Sequence, residues 1–145
     1  MGQMKSDTEQ QNQDLKQNPD FGATNGCVFC QHNRPILAES DLSLAFLDSF
    51  PISNGHTLII PKRHVVSIWE MSGAEYTDAF NLVRQVTNIL QKQFEPQGFN
   101  VGVNCGESAG QTVFHAHIHI IPRYVGDVLN PRGGVRNIIP GKGIY

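Results

Sequence analysis

Three histidines, His115, His117 and His119, alternate with the small or apolar residues Ala116, Ile118 and Ile120. A β-strand sends successive side chains to opposite faces, so this spacing predicts imidazoles on one face and apolar groups on the other. The β-branched Val113, Ile118, Ile120 and Ile121, with Pro122 after them, favour a strand over a helix. A neutral imidazole is a competent nucleophile near pH 7, since its unperturbed pKa is about 6.5. It needs a partner on its second nitrogen to fix the tautomer, and donors for the charge that grows on the electrophile. Just upstream, Gly106-Glu-Ser-Ala-Gly110 supplies a glycine-bounded turn where backbone N–H groups can approach an anion closely, followed by the Gln111 amide and the Thr112 hydroxyl. Imidazoles and donors without a carboxylate pair suit attack on phosphorus better than glycoside chemistry. Three histidines also suit a catalytic zinc, but alternate strand residues lie about 7 Å apart and converge poorly on one ion, although one or two of them can ligate.

The elements that must position these groups are legible in the pattern. Cys27-Val-Phe-Cys30, with His32 just beyond, is half of a zinc site or a pair of small core thiols. Leu44 to Asp48 is predicted as a strand, Pro51 to Gly55 as a turn, and His56 to Ile60 as a second strand stopped by Pro61. Lys62, Arg63 and His64 stand at its exit. Ser72-Gly-Ala-Glu75 has the spacing of a capping box. Behind it Tyr76, Ala79, Phe80, Val83, Val86, Leu90 and Phe94 predict an amphipathic helix of about five turns, ended by Pro96 and Gly98. Phe99 to Val103 is expected to be the strand leading into the histidine stretch. The tail from Gly126 to Tyr145 has no period, and its Gly and Pro content predicts an ordered loop packed on the domain. One long helix among several strands gives an α+β domain.

Composition narrows the partners. At 145 residues and 39% hydrophobic content the chain fits one domain over residues 25–145, behind an arm of residues 1–24 expected to be disordered. A net charge of −2 provides no field for nucleic acid or an anionic membrane, so local donors must hold any phosphate. The odd count of 3 Cys argues against a disulfide framework and suits a reducing compartment. The apolar runs are too short to span a bilayer and no charged-then-apolar leader opens the chain, so a cytoplasmic location is expected.

The stretch Phe114-His-Ala-His-Ile-His-Ile-Ile-Pro122 resembles the signature of the histidine triad (HIT) superfamily. Ala45-Phe-Leu-Asp48, Gly55 to His64 and Ala109 to Val113 support the resemblance, which covers about Cys27 to Arg123. The tail is similar to a branch described as diadenosine-tetraphosphate-hydrolase-like. The resemblance implies a HIT-like fold, with an antiparallel sheet of about five strands, one long helix, a short one, and a homodimer. It implies His117 as nucleophile, forming a nucleotidyl-histidine on the α-phosphate, with His119 donating to the phosphate or bridging oxygen and His56 nearby. Asp48 matches the residue that takes the ribose hydroxyls, and Asn104, Gln111 and Thr112 match phosphate-side positions. Val28, Phe29 and Phe46 would form the slot for the base. Cys27, Cys30, His64 and His115 match the ligands of a structural zinc. The implied function is hydrolysis of dinucleoside polyphosphates or related nucleoside phosphate derivatives. The alternatives are a purine nucleoside phosphoramidase or a nucleotide-binding adaptor with vestigial turnover. Arg123, Arg132 and Arg136 are the nearest candidates for gripping a polyphosphate leaving group.

Overall fold

The computed structural model describes residues 26–31 and 33–145. The arm of residues 1–24 and His32 lie outside the described residues. The described chain forms strands β1 (Ala38–Glu39), β2 (Ser43–Leu47), β3 (Thr57–Pro61), β4 (Gly98–Gly102) and β5 (Ile118–Arg123), and helix α1 (Gly73–Phe94). The sheet is antiparallel in the order β1-β2-β3-β5-β4. Among the described residues the shorter helical elements are 3-10 turns at Ile68–Glu70, Glu107–Ala109 and Gly134–Ile138. No helix among the described residues is long and apolar enough to cross a membrane.

Register decides which side chains share a face. Ala45 pairs with Ile59, and Ile59 with Ile118, so this row packs with Ile120 against Ala79, Leu82, Val86 and Leu90 of α1. Fully burying a side chain such as Leu82 contributes about 1.5–3 kcal/mol. Phe46 pairs with Leu58, and Leu58 with His119, which puts that row on the face away from the helix. The fold thus separates a face packed on the helix from a second face, where Leu44, Phe46, Leu58 and Ile60 pack under Cys27 and Phe29 and which carries His119.

The helix begins as its sequence dictates. Ser72 accepts from the Glu75 N–H while the Glu75 carboxylate accepts from the Ser72 N–H, closing the capping box. The buried stripe differs from expectation: Leu82 is inside, while Tyr76 and Phe80 stand partly exposed on the flank, their rings 4.9 Å apart. At about 100° per residue, Ala79, Leu82, Val86 and Leu90 form the tighter row toward the sheet. Gly55 sets the turn before β3. Its φ is +87°, and a Cβ there would lie 2.9 Å from the Phe94 ring. In the tail, Gly134–Ile138 forms a 3-10 turn against the β4 edge.

The histidine stretch is the main departure from the strand expectation. Regular β5 pairing starts only at Ile118, so His115 and His117 precede the ladder and the triad does not form one row. The Ala116 N–H donates to the Val65 carbonyl at 2.7 Å, outside the sheet, and peels this segment away from β3. Each of the three rings consequently faces different partners.

Candidate active site

His119 is held by β5 on the sheet face away from the helix, opposite Leu58 and Gly102. His117 sits just before the strand, and its Nδ1 is 2.8 Å from the carbonyl oxygen of His115. A carbonyl only accepts, so Nδ1 carries the proton and Nε2 keeps a free lone pair. Both imidazoles line a cavity of about 570 Å³, a size suited to a small-molecule ligand. Phe46 and Phe29 form its apolar wall, with ring centroids 5.5 Å apart, and Phe29 meets the His117 ring edge-on at 5.2 Å.

A chain of hydrogen bonds fixes the other tautomers. The Ile52 N–H donates to His56 Nδ1 at 3.2 Å, so neutral His56 has its proton on Nε2. That nitrogen is 3.0 Å from His119 Nδ1, which must accept. The remaining His119 proton therefore sits on Nε2 and is available to a ligand. His56 is buried behind His119 and does not line the cavity, which makes it a positioning residue. Burial lowers the pKa of His117 and of His56, and lowers that of His119 to about 4, helped by the neighbouring His117 and His56. The site is thus a cluster of neutral imidazoles at pH 7. The Asp48 carboxylate stands at the cavity wall, accepting from the Phe50 N–H at 3.0 Å and lying 3.6 Å from His56 Nε2.

The glycine-bounded turn differs in detail from the sequence expectation. The N–H groups of Ala109, Gly110 and Gln111 donate to carbonyls within the turn, and that of Gly106 donates to Gln111 Oε1. Gln111 does not line the cavity. It is buried, and its amide also donates to the carbonyls of Val66 and Val113. It shapes the turn, and the polar side chains on that wall are those of Asn104 and Thr112.

His115 faces the opposite way. Its Nε2–H donates to the Pro61 carbonyl at 2.8 Å, leaving Nδ1 as a lone pair 3.5 Å from Sγ of both Cys27 and Cys30. His64 Nδ1 is 3.3 Å from Cys30 Sγ, and the four ligand atoms lie within 4.8 Å of one another. A tetrahedral zinc with bonds of about 2.3 Å to sulfur and 2.0 Å to nitrogen requires N···S separations of about 3.5 Å, so the donor set fits. The Pro61 carbonyl supplies the outer partner that orients a ligating imidazole. Burial and the adjacent Cys27 push the Cys30 thiol up to about 11, so closure on a cation releases its proton. Three histidines on one zinc is excluded by these directions.

Other expected residues are placed elsewhere. Arg123 is held by Asp127 and Asn100, and Arg132 and Arg136 lie over the Tyr145 ring at 4.9 and 4.6 Å. None of the three lines the cavity within one chain. Val28 is on its rim. Arg34, Ser49 and Phe50 also line it, and no periodicity or motif marked them.

A HIT domain model matches residues 31–126. The adenosine 5'-monophosphoramidase hnt1 of Schizosaccharomyces pombe is 44% identical over 102 residues, 67% of this chain and 74% of that protein. The asymmetrical bis(5'-nucleosyl)-tetraphosphatase of the same organism is 41% identical over 92 residues, 63% of this chain, which spans half of that protein's length. A HIT family protein from Bacillus anthracis superimposes with a TM-score of 0.68 at 39% identity, over 72% of this chain and 78% of that one. A Zn-bound histidine triad family protein from Mycobacterium smegmatis does so with a TM-score of 0.67 at 32% identity, over 74% and 82%. With the separate orientation of its triad imidazoles, the five-stranded sheet that carries them and these likenesses in sequence and fold, the chain belongs to the HIT family.

Proposed function

We propose that the protein is a nucleotide hydrolase that cleaves dinucleoside polyphosphates or related nucleoside phosphate derivatives at the α-phosphate and releases a nucleoside monophosphate. The observation that carries this is the His117 Nδ1–H bond to the His115 carbonyl, which leaves Nε2 as a lone pair in the cavity beside the protonated Nε2 of His119. The Nε2 lone pair forms a bond to the α-phosphorus as the bond to the leaving group breaks, and the electron pair goes to the leaving atom. His119 Nε2–H donates a hydrogen bond to the oxygen on which charge grows. Water then attacks phosphorus, the N–P electron pair returns to His117, and the water's proton passes to solvent. Phe29, Phe46 and Val28 are assigned to the base, Asp48 to the ribose hydroxyls, and Asn104 and Thr112 to the phosphate.

Cys27, Cys30, His64 and His115 are assigned to a structural zinc, supported by their spacing and by the Zn-bound relative. When bound, it would cross-link the N-terminal loop to the segment carrying His117, outside the reaction. A cytoplasmic homodimer is part of the same proposal.

A phosphoramidase is the second reading. It is favoured by the 44% identity to a relative named for that activity, and by tail arginines that stay on Tyr145 rather than at the phosphate side. Assaying diadenosine tetraphosphate, diguanosine tetraphosphate and the two nucleoside phosphoramidates side by side tests both. Monophosphate release from the polyphosphates at the higher kcat/KM supports the first reading, and preference for the phosphoramidates supports the second. No turnover of any of the four refutes hydrolysis.

A further inference from the structure

The base slot is not an open apolar cleft. Arg34, in the loop between Cys30 and β1, projects its guanidinium over Phe46 with Cζ 4.4 Å from the ring centroid, and 5.4 Å from that of Phe29. The same group donates to the Val28 carbonyl, so it is held by both the aromatic wall and the rim. At 4.4 Å it is in direct stacking contact, and no planar base fits between it and Phe46. A nucleobase that uses the Phe46 wall must take this position and displace the guanidinium. Displacement from Phe46 frees a guanidinium that has five N–H donors and no acceptor of its own. Its tether in the loop keeps it beside the slot.

We propose that Arg34 selects the base: it holds the slot in the free chain, moves off Phe46 when a nucleotide enters, and favours guanine over adenine. The proposal rests on the nucleotide-hydrolase reading of the same cavity. The chemistry of the two purines decides the direction. Guanine presents O6 and N7 as adjacent acceptors, which match the two parallel donors of a guanidinium fork. Adenine presents N7 beside the N6 amino group, so one donor of the fork faces another donor. A lysine has the charge but not the fork and does not reproduce the selection.

The test is calorimetric binding of GMP and AMP to the full chain, with the kcat/KM ratio for guanosine and adenosine phosphoramidates measured alongside. Wild type is expected to bind GMP about tenfold more tightly than AMP, the size of one bidentate base contact. Arg34→Ala and Arg34→Lys should both bring the two affinities within about twofold, with AMP binding unchanged or tighter, because the Phe46 face is vacated. An unchanged melting temperature in Arg34→Lys would exclude a folding effect. Equal wild-type affinities, preference for AMP, or a tenfold ratio surviving in either variant would overturn the assignment of Arg34 while leaving hydrolysis in place. Failure of both nucleotides to bind would overturn it together with the nucleotide-hydrolase reading.

Discussion

Stripping metal from the Cys27, Cys30, His64 and His115 cluster should destabilise the protein far more than it slows the reaction. If free zinc stands a hundredfold above its dissociation constant, binding to the folded state adds about 2.7 kcal/mol. For a folded domain of this length each kcal/mol moves the melting temperature by about 4 °C, so chelation should lower it by about 10 °C. The kinetic effect should be smaller, because an ion held by these four residues would lie outside the cavity. His115 gives its ring to the cluster, but its carbonyl orients His117 through the 2.8 Å bond. A neutral hydrogen bond is worth about 1 kcal/mol, so loosening this carbonyl should reduce kcat about fivefold. Loss of a Lewis acid at the reacting phosphorus would remove several kcal/mol, a loss of about a thousandfold. The assay is a melting curve with and without chelator, and kcat at a temperature below both transitions. An unchanged melting temperature would refute the structural zinc, and a thousandfold loss in chelated, folded protein would refute a metal-free reaction.

Two further outcomes follow from the electrostatics. Glu75 is buried, and the Arg63 guanidinium together with the Ser72 N–H holds its carboxyl down to about 2. Glu75→Gln should destabilise by about 1–2 kcal/mol at pH 7, less than the full shift because Arg63 is 58% exposed. A carboxyl with a depressed folded pKa stabilises above its unfolded value of about 4.5 and loses that contribution as pH falls toward 2, so the gap between variant and wild type should close over this window. Urea titrations at pH 7 and 2.5 measure it, and a constant gap contradicts the pairing. Because burial lowers the pKa of both His117 and His119, the acid limb of kcat/KM should lie below pH 6.5. A midpoint at or above 6.5 would mean that the imidazoles are not desolvated as described.

Local chemistry made much of this molecule legible in its sequence. The capping box of Ser72 and Glu75, the turn at Gly55 and the alternation of Ile118 and Ile120 each bear a physical cause written into neighbouring residues. The Cys27, Cys30, His64 and His115 cluster spans most of the domain, and only the family resemblance connected its halves. The orientation of each triad imidazole was not legible, because it depends on where the Ala116 N–H and the His115 Nε2–H find carbonyls, at Val65 and Pro61. Gln111 resembles a phosphate ligand in sequence, yet the turn it closes uses every donor and acceptor of its amide. Arg34 carried no signal at all. A lone arginine in a loop is ordinarily solvated, and only the fold brings it over Phe46.

The central claim is covalent catalysis by His117, and the most direct measurement is trapping the adduct. Protein mixed with a nucleoside phosphoramidate and denatured at alkaline pH, where the N–P bond survives, should carry one nucleotidyl group, located on His117 by peptide mass analysis. His117→Ala should fold, bind nucleotide and carry no adduct, with kcat lowered at least a thousandfold. An adduct at another residue, or a His117→Ala variant that keeps a tenth of the wild-type rate, would contradict the account.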